Sequence, residues 1–171
     1  FSMSINTYAN YYVLHRTKRY TWDNSVDFNL GFVSATTLGS RKNDDRIDFL
    51  SKYGYQVDTV KRKWYASALF NFRSQFFDGY TYGGGQSSFA SSFLSPAYIL
   101  VSVGMDYKPN NKMSAFISPL TSRTVLVQNK FLSDKGAYGV TPGSKSFNQV
   151  GFYAYHSYCL QPFSELFQLN E

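Results

Sequence analysis

Four charged side chains stand at positions where they can act together: Asp27, Asp48, Lys52 and Arg73. Each falls on the polar side of a segment in which polar and apolar residues alternate, and pairing neighbouring segments is expected to bring Asp27 near Lys52 and Asp48 near Arg73. Such a group either lines a charged constriction that filters solutes or forms a salt-bridge ladder that fills a narrow interior. A closed sheet of about eight strands leaves little more than room for side chains, which favours the ladder. Other chemistry is thinner. His15 and His156 are the only histidines, and no convergent set of metal ligands accompanies them. The abundant serines match no spacing that supplies a base and an orienting third group, so catalysis by a Ser/His pair at a membrane rim stays a minor alternative. Gly83-Gly84-Gly85 is followed by no Lys-Ser/Thr and opens no helix, so it is not a phosphate cradle. No cofactor is expected.

The elements that must position these residues show a period of two. Met3, Ile5, Thr7, Ala9, Tyr11 and Val13 share one face of the first stretch, with Ser2, Ser4, Asn6, Tyr8, Asn10 and Tyr12 on the other. Later stretches repeat the split. Val26, Phe28 and Leu30 oppose Ser25, Asp27 and Asn29; Phe49 opposes Asp48 and Lys52; Phe70 and Phe72 oppose Asn71 and Arg73; Val101 and Val103 oppose Ser102 and Gly104. Further stretches follow over 113–118, 121–128 and 150–158. The strands exceed the five or six residues usual in small soluble domains, and about ten tilted residues is what a bilayer requires of a strand. Short connections at 15–19, 59–63 and 109–111 are expected at one end, with long ones over 34–46, 77–97 and 119–149 at the other.

Which face is wet separates two barrels. A soluble lipocalin-like barrel turns its apolar face inward around a ligand, whereas a transmembrane barrel turns it outward to lipid. Tyr11, Tyr20, Trp22, Trp64 and Tyr107 lie on the apolar face toward the short-turn end, the pattern of an aromatic girdle at a membrane interface. Val26, Phe28, Leu30, Phe49, Phe70, Phe72, Val101 and Val103 are accordingly expected to face lipid. The segment 76–98 gathers Phe77, Tyr80, Tyr82, Phe89 and Phe93 around the three glycines. These aromatics either stack on glycans or a partner protein, or they extend the upper girdle.

Composition agrees. The chain has 171 residues, 19% aromatic and 16% charged, with a net charge of +6 and one cysteine, Cys159. Mean hydropathy is -0.32. No run approaches the roughly 18 apolar residues of a spanning helix. The basic residues, such as Arg16, Lys18, Arg19, Lys61, Arg62 and Lys63, cluster at turns instead of along one binding face, so nucleic acid is not an expected partner. No signal peptide is visible at the start.

Several local patterns, in order, carry a resemblance: Trp22-Asp23-Asn24, then residues 41–48 reading RKNDDRID, Ser51-Lys52-Tyr53-Gly54-Tyr55, Lys63-Trp64-Tyr65 and residues 74–80 reading SQFFDGY. Leu94-Ser95-Pro96-Ala97-Tyr98, Gly104-Met105-Asp106-Tyr107-Lys108-Pro109, Ile117-Ser118-Pro119-Leu120-Thr121 and residues 132–140 reading LSDKGAYGV follow. Across residues 5–155 the chain resembles a family of Bacteroidota-type outer-membrane β-barrels catalogued as a domain of unknown function. The resemblance implies export, insertion as a barrel and an outer-membrane location, with no known activity. The expected fold is therefore all-β, an up-and-down antiparallel transmembrane β-barrel of about eight strands or more over residues 1–158. Residues 159–171 read as an irregular or incompletely represented terminal strand region, as expected of an excerpt or of a join of ordered segments. The expected partners are the lipid bilayer or lipopolysaccharide and other subunits of an outer-membrane complex.

Overall fold

The computed structural model describes residues 1–36, 39–58, 60–61, 63–83, 86–110 and 112–158, with the side chains of residues 40, 82, 83 and 86 outside the description. Residues 159–171 also lie outside the described residues. Alternating sequence becomes strand: β1 (Ser2–Arg16), β2 (Tyr20–Ala35), β3 (Gly39–Gln56), β4 (Trp64–Ser74), β5 (Gly79–Gly83), β6 (Gln86–Ser91), β7 (Ala97–Asn110), β8 (Met113–Leu126) and β9 (Ser146–Tyr158). Among the described residues, seven of these form one antiparallel sheet in the order β1-β2-β3-β4-β7-β8-β9, and β5-β6 is a separate hairpin. The fold is all-β, a meander in which each strand of the large sheet lies beside the one before it. A short helix α1 (Lys130–Asp134) precedes β9, capped by Asn129, whose side chain accepts from the amides of Phe131 and Leu132 at 3.0 and 3.3 Å.

Two expectations about strand boundaries change. The segment 34–46 is not a long connection: β2 runs on to Ala35, β3 starts at Gly39, and Lys42, Arg41 and Ser40 pair with Phe32, Val33 and Ser34. The charge run at 41–46 hides strand pairing that continues past a bulge between Gly31 and Phe32. The stretches 113–118 and 121–128 are likewise one strand. Pro119 has no N–H to give a ladder and sits where the β8–β9 register shifts between Ser118 and Thr121, the place in a strand that tolerates proline. Opposite it, a Cβ on Gly104 would run into the backbone of Ile117 and Ser118, so the close approach at this bulge requires glycine. Ser118 Oγ lies 2.8 Å from the carbonyl oxygens of Val103 and Leu120, and Thr121 Oγ1 lies within 3.0 Å of both Ser102 and Ser118. Hydroxyls thus replace the ladder bonds that the bulge removes.

Directly paired residues share a face, so the register assigns every side chain to one side. Asp23, Lys52, Leu69, Ser102 and Thr121 form one row of the polar face, and Val26, Phe49, Phe72 and Ile99 form a row of the apolar face. Lys52 Nζ lies 5.0 Å from the centre of the Phe116 ring on β8. Three strand spacings separate β3 from β8, about 14 Å in a flat sheet, farther than a lysine reaches. The sheet therefore curls around its polar face.

The turn between β3 and β4 is ordered by Asp58, which accepts the amides of Val60 and Lys61 at 2.9 and 3.0 Å. These bonds, that from Lys61 foremost, hold the carboxyl below its ordinary range. A depressed folded value means the turn contribution is present above the ordinary pKa of about 3.9 and is lost as pH falls through the folded value. In an NMR titration the Lys61 amide is expected to report a midpoint below the ordinary carboxylate value, and an unshifted midpoint would remove Asp58 as the organiser of this turn.

Candidate functional site

The two faces of the sheet are inverted relative to a water-soluble protein. On the polar face Asp106, Ser102, Ser118 and Phe116 are fully buried, and Ser25, Ser67, Leu69 and Thr121 nearly so. On the apolar face Val103 is 55% exposed, Leu120 61% and Phe152 67%. Alternation alone assigns residues to faces; the curl decides which face is covered.

Toward the short-turn end of the buried face lies an ion cluster. Asp106 Oδ2 takes Lys52 Nζ at 2.7 Å and Lys108 Nζ at 3.3 Å, while Oδ1 accepts the Ser114 hydroxyl at 2.8 Å. Phe116 and Tyr65 place ring faces 5.0 and 5.1 Å from the two ammonium groups, a favourable setting for cations out of water. Sequence reasoning placed Lys52 here but paired it with Asp27, and that pairing is incorrect. The β2–β3 register sets Asp27 opposite Asp48 and Lys52 opposite Asp23. Asp27 is held instead by β1, accepting from the Tyr8 hydroxyl at 3.1 Å and from the Asn10 amide. Asp48 and Arg73 do meet, at 2.6 and 2.8 Å, and Asn71 donates to the same carboxylate at 2.6 Å. Asp106 and Lys108 went unassigned because Lys52 reaches diagonally past β4, which adjacent-strand pairing does not reveal. The available signal was Asp106 on the polar side of its strand.

Val26, Phe28, Leu30, Phe49, Phe70, Phe72, Val101 and Val103 all lie on the apolar face. At the short-turn end Tyr20 stacks on Tyr53 at 5.8 Å and Trp64 packs on Tyr107 at 4.7 Å, while Trp22 donates to Ser51 Oγ at 3.0 Å. Tyr11 does not join them. It pairs with Val26, well inside β1, because that strand runs on to Arg16.

The loop aromatics divide. Phe76 and Phe77 pack edge-on against Phe28 and Phe32, extending the apolar face, and Phe93 stacks on Phe76 at 6.2 Å. Phe89 turns the other way, against a small core of Val125, Val127, Leu132 and Val140 that covers the far end of the polar face, with Tyr80 on its edge. The Tyr82 side chain lies outside the described residues. Asp45 anchors the loop: its carboxylate accepts the amides of Phe76 and Phe77, as close as 2.6 Å, and pairs with Lys42 at 3.1 Å, which also donates to the Phe77 carbonyl. Losing these bonds costs about 1–3 kcal/mol of local stability. Asp45→Ala is therefore expected to raise proteolytic cleavage within residues 76–96 several-fold, read by mass spectrometry of the fragments. Unchanged cleavage would mean that the ring contacts alone hold the loop.

His15 Nε2 lies 3.2 Å from the Tyr20 hydroxyl, and His156 stands opposite Ala115 on the apolar face. Neither approaches the buried polar cluster. Among the described residues no group of three or more His, Cys, Asp or Glu side chains is placed to hold a metal ion.

Fold and faces together define a class: a curled antiparallel meander with ion pairs on its covered face and hydrocarbon on its exposed one. Residues 1–80 match the model of a family described as "Protein of unknown function (DUF3078)". This match fits the resemblance carried by the motifs of the first half of the chain. No curated protein and no solved structure matches the chain.

Proposed function

We propose that the chain is an integral outer-membrane β-barrel protein of the Bacteroidota type, a non-enzymatic structural or accessory subunit of an envelope assembly. The observation that carries this reading is the inversion of the faces. Exposing Val103, Leu120, Val150 and Phe152 to water while covering Asp106, Ser102 and Lys52 reverses the order that hydrophobic burial dictates in water. Lipid around the sheet makes the same arrangement favourable. A soluble lipocalin-like barrel requires the opposite polarity. The interior reads as a plug more than as a pore, because Lys52, Lys108 and Arg73 each meet a carboxylate and the small core of Val125 and Leu132 lies over one end. Helices play no part in this reading: among the described residues none is long and apolar enough to cross a membrane.

The test is extraction of native membranes. The protein is expected to stay in the membrane pellet through an alkaline wash and to dissolve only with detergent, where stoichiometric companions in mass spectrometry would mark an accessory subunit. A monomer recovered without detergent overturns the membrane reading.

A further inference from the structure

A groove of about 510 Å³ opens on the apolar face at the short-turn end, lined by Val13 and His15 of β1 and by Tyr20, Trp22 and Asn24 of β2. Register brings these residues together: Val13 stands opposite Asn24 and His15 opposite Trp22, and Tyr20 opens β2 beside the turn. The lining is not plain hydrocarbon. Asn24 Oδ1 accepts from the Ser51 hydroxyl at 2.7 Å, and Ser51 Oγ accepts from Trp22 Nε1 at 3.0 Å, while Asn24 Nδ2 meets no acceptor among the described residues. The contact between His15 Nε2 and the Tyr20 hydroxyl leaves a second spare donor whichever way it runs. When the phenol donates, the other ring nitrogen of a neutral His15 keeps its N–H; when Nε2 donates, the Tyr20 O–H is left over. On a face turned to lipid such donors need an acceptor from outside the chain.

The turn beyond the groove adds charge. Thr17 N donates to Tyr20 O at 2.8 Å, so Lys18 and Arg19 form the tip of a two-residue turn next to Tyr20. Both are exposed, and among the described residues neither enters an ion pair. Gln56 N donates to Arg19 O at 2.8 Å, which sets the β3–β4 turn with Lys61 and Lys63 alongside. The one acid of these two turns, Asp58, is taken by the amides of Val60 and Lys61. No free carboxylate is therefore at hand in these turns to receive a cationic group.

We propose that this groove is a binding site for an anionic phospholipid. A cationic tip, then spare hydrogen-bond donors among aromatic rings, then an apolar floor repeat in order the phosphate, the ester oxygens and the acyl chain of such a lipid. Lys18 and Arg19 take the phosphate, the His15–Tyr20 pair and the Asn24 amide face the ester oxygens, and Val13 and the Trp22 ring carry the chain. Two unpaired cations beside a single phosphate favour a headgroup with net negative charge over one whose phosphate is balanced by its own ammonium group. The inference rests on the membrane reading and adds to it the class of lipid and the place where it is held.

The two tryptophans supply the test, because Trp22 lines the groove while Trp64 packs on Tyr107 outside it. Trp64→Phe and Trp22→Phe each leave one emitter, and both proteins are reconstituted into phosphatidylcholine vesicles containing brominated-chain phosphatidylglycerol or brominated-chain phosphatidylcholine as quencher. Trp22 is expected to be quenched at a mole fraction of the glycerol lipid at least about fivefold lower than of the choline lipid, from the attraction of even one basic side chain. Trp64 is expected to show no such difference, and Lys18→Gln with Arg19→Gln is expected to remove it at Trp22. Equal quenching of Trp22 by the two lipids overturns the proposal and leaves the groove to a protein partner. A preference of the same size at Trp64, or one that survives the double substitution, overturns it as well, since the attraction is then diffuse. Failure of the membrane reading looks different: neither tryptophan is quenched by either lipid, and both readings fall.

Discussion

Val103→Arg is expected to abolish stable assembly in lipid, lowering folding stability by about 2–4 kcal/mol. Val103 lies in the middle of β7 on the apolar face and is more than half exposed. In water, an arginine at so open a position changes stability by less than about 0.5 kcal/mol. In the hydrocarbon of a bilayer the same side chain must bring its charge out of water, which shifts the folding equilibrium by about thirtyfold to about a thousandfold. The two solvents thus predict different outcomes for one substitution. Folding into vesicles, followed by the gel-mobility difference between folded and heated protein, reads the result. Wild-type folding of both Val103→Arg and Phe70→Arg would sink the assignment of this face to lipid.

The second large effect belongs to Asp106. Asp106→Asn keeps the shape and removes the charge that Lys52 and Lys108 share, so both ammonium groups lose the carboxylate they contact on a covered face, with Asp23 across the β2–β3 ladder left as the acidic neighbour of Lys52. Breaking one side of a buried pair costs about 3–5 kcal/mol, largely through the stranded charge. The partner substitution gives the sharper signature: Lys52→Met added to Asp106→Asn is expected to recover much of the loss, as neutral replacements of buried pairs commonly do. Denaturant unfolding of the four proteins in one detergent closes the cycle. Losses that simply add would mean the two side chains do not act as a pair.

Much of the sheet was legible because side-chain period admits no compromise: a slip of one residue would turn the apolar rows of a strand to the polar side. The apolar rows of β2, β4 and β7 follow directly from alternation. Strand limits were harder to read where polarity runs against pattern, as in the charged stretch of β3 beyond the Gly31 bulge, and where Pro119 imitates a break. The ion cluster was half visible. Adjacent strands predict Asp48 with Arg73, whose side chains meet across one strand spacing, but the Lys52–Asp106 contact depends on curl and on the reach of a lysine. The loop aromatics were visible as a group and not as a division, since nothing in their spacing tells Phe77 from Phe89.

The meander order also bears on how the chain reaches this state. Contacts between neighbours in sequence close small loops, and such pairings form quickly. The longest gap within the large sheet before β8 lies between Ser74 and Ala97, where β7 must find β4. Asp45 seizes the amides of Phe76 and Phe77 at the start of that gap, and the β5–β6 hairpin consumes much of the remainder through its own ladder. The stretch left to search is short when these contacts form before β7 docks, and refolding of Asp45→Ala slower than its loss of stability explains is the expected sign of that order. An aspartate that fastens the finished loop would then also serve, on the time axis, as a guide for the strand that comes after it.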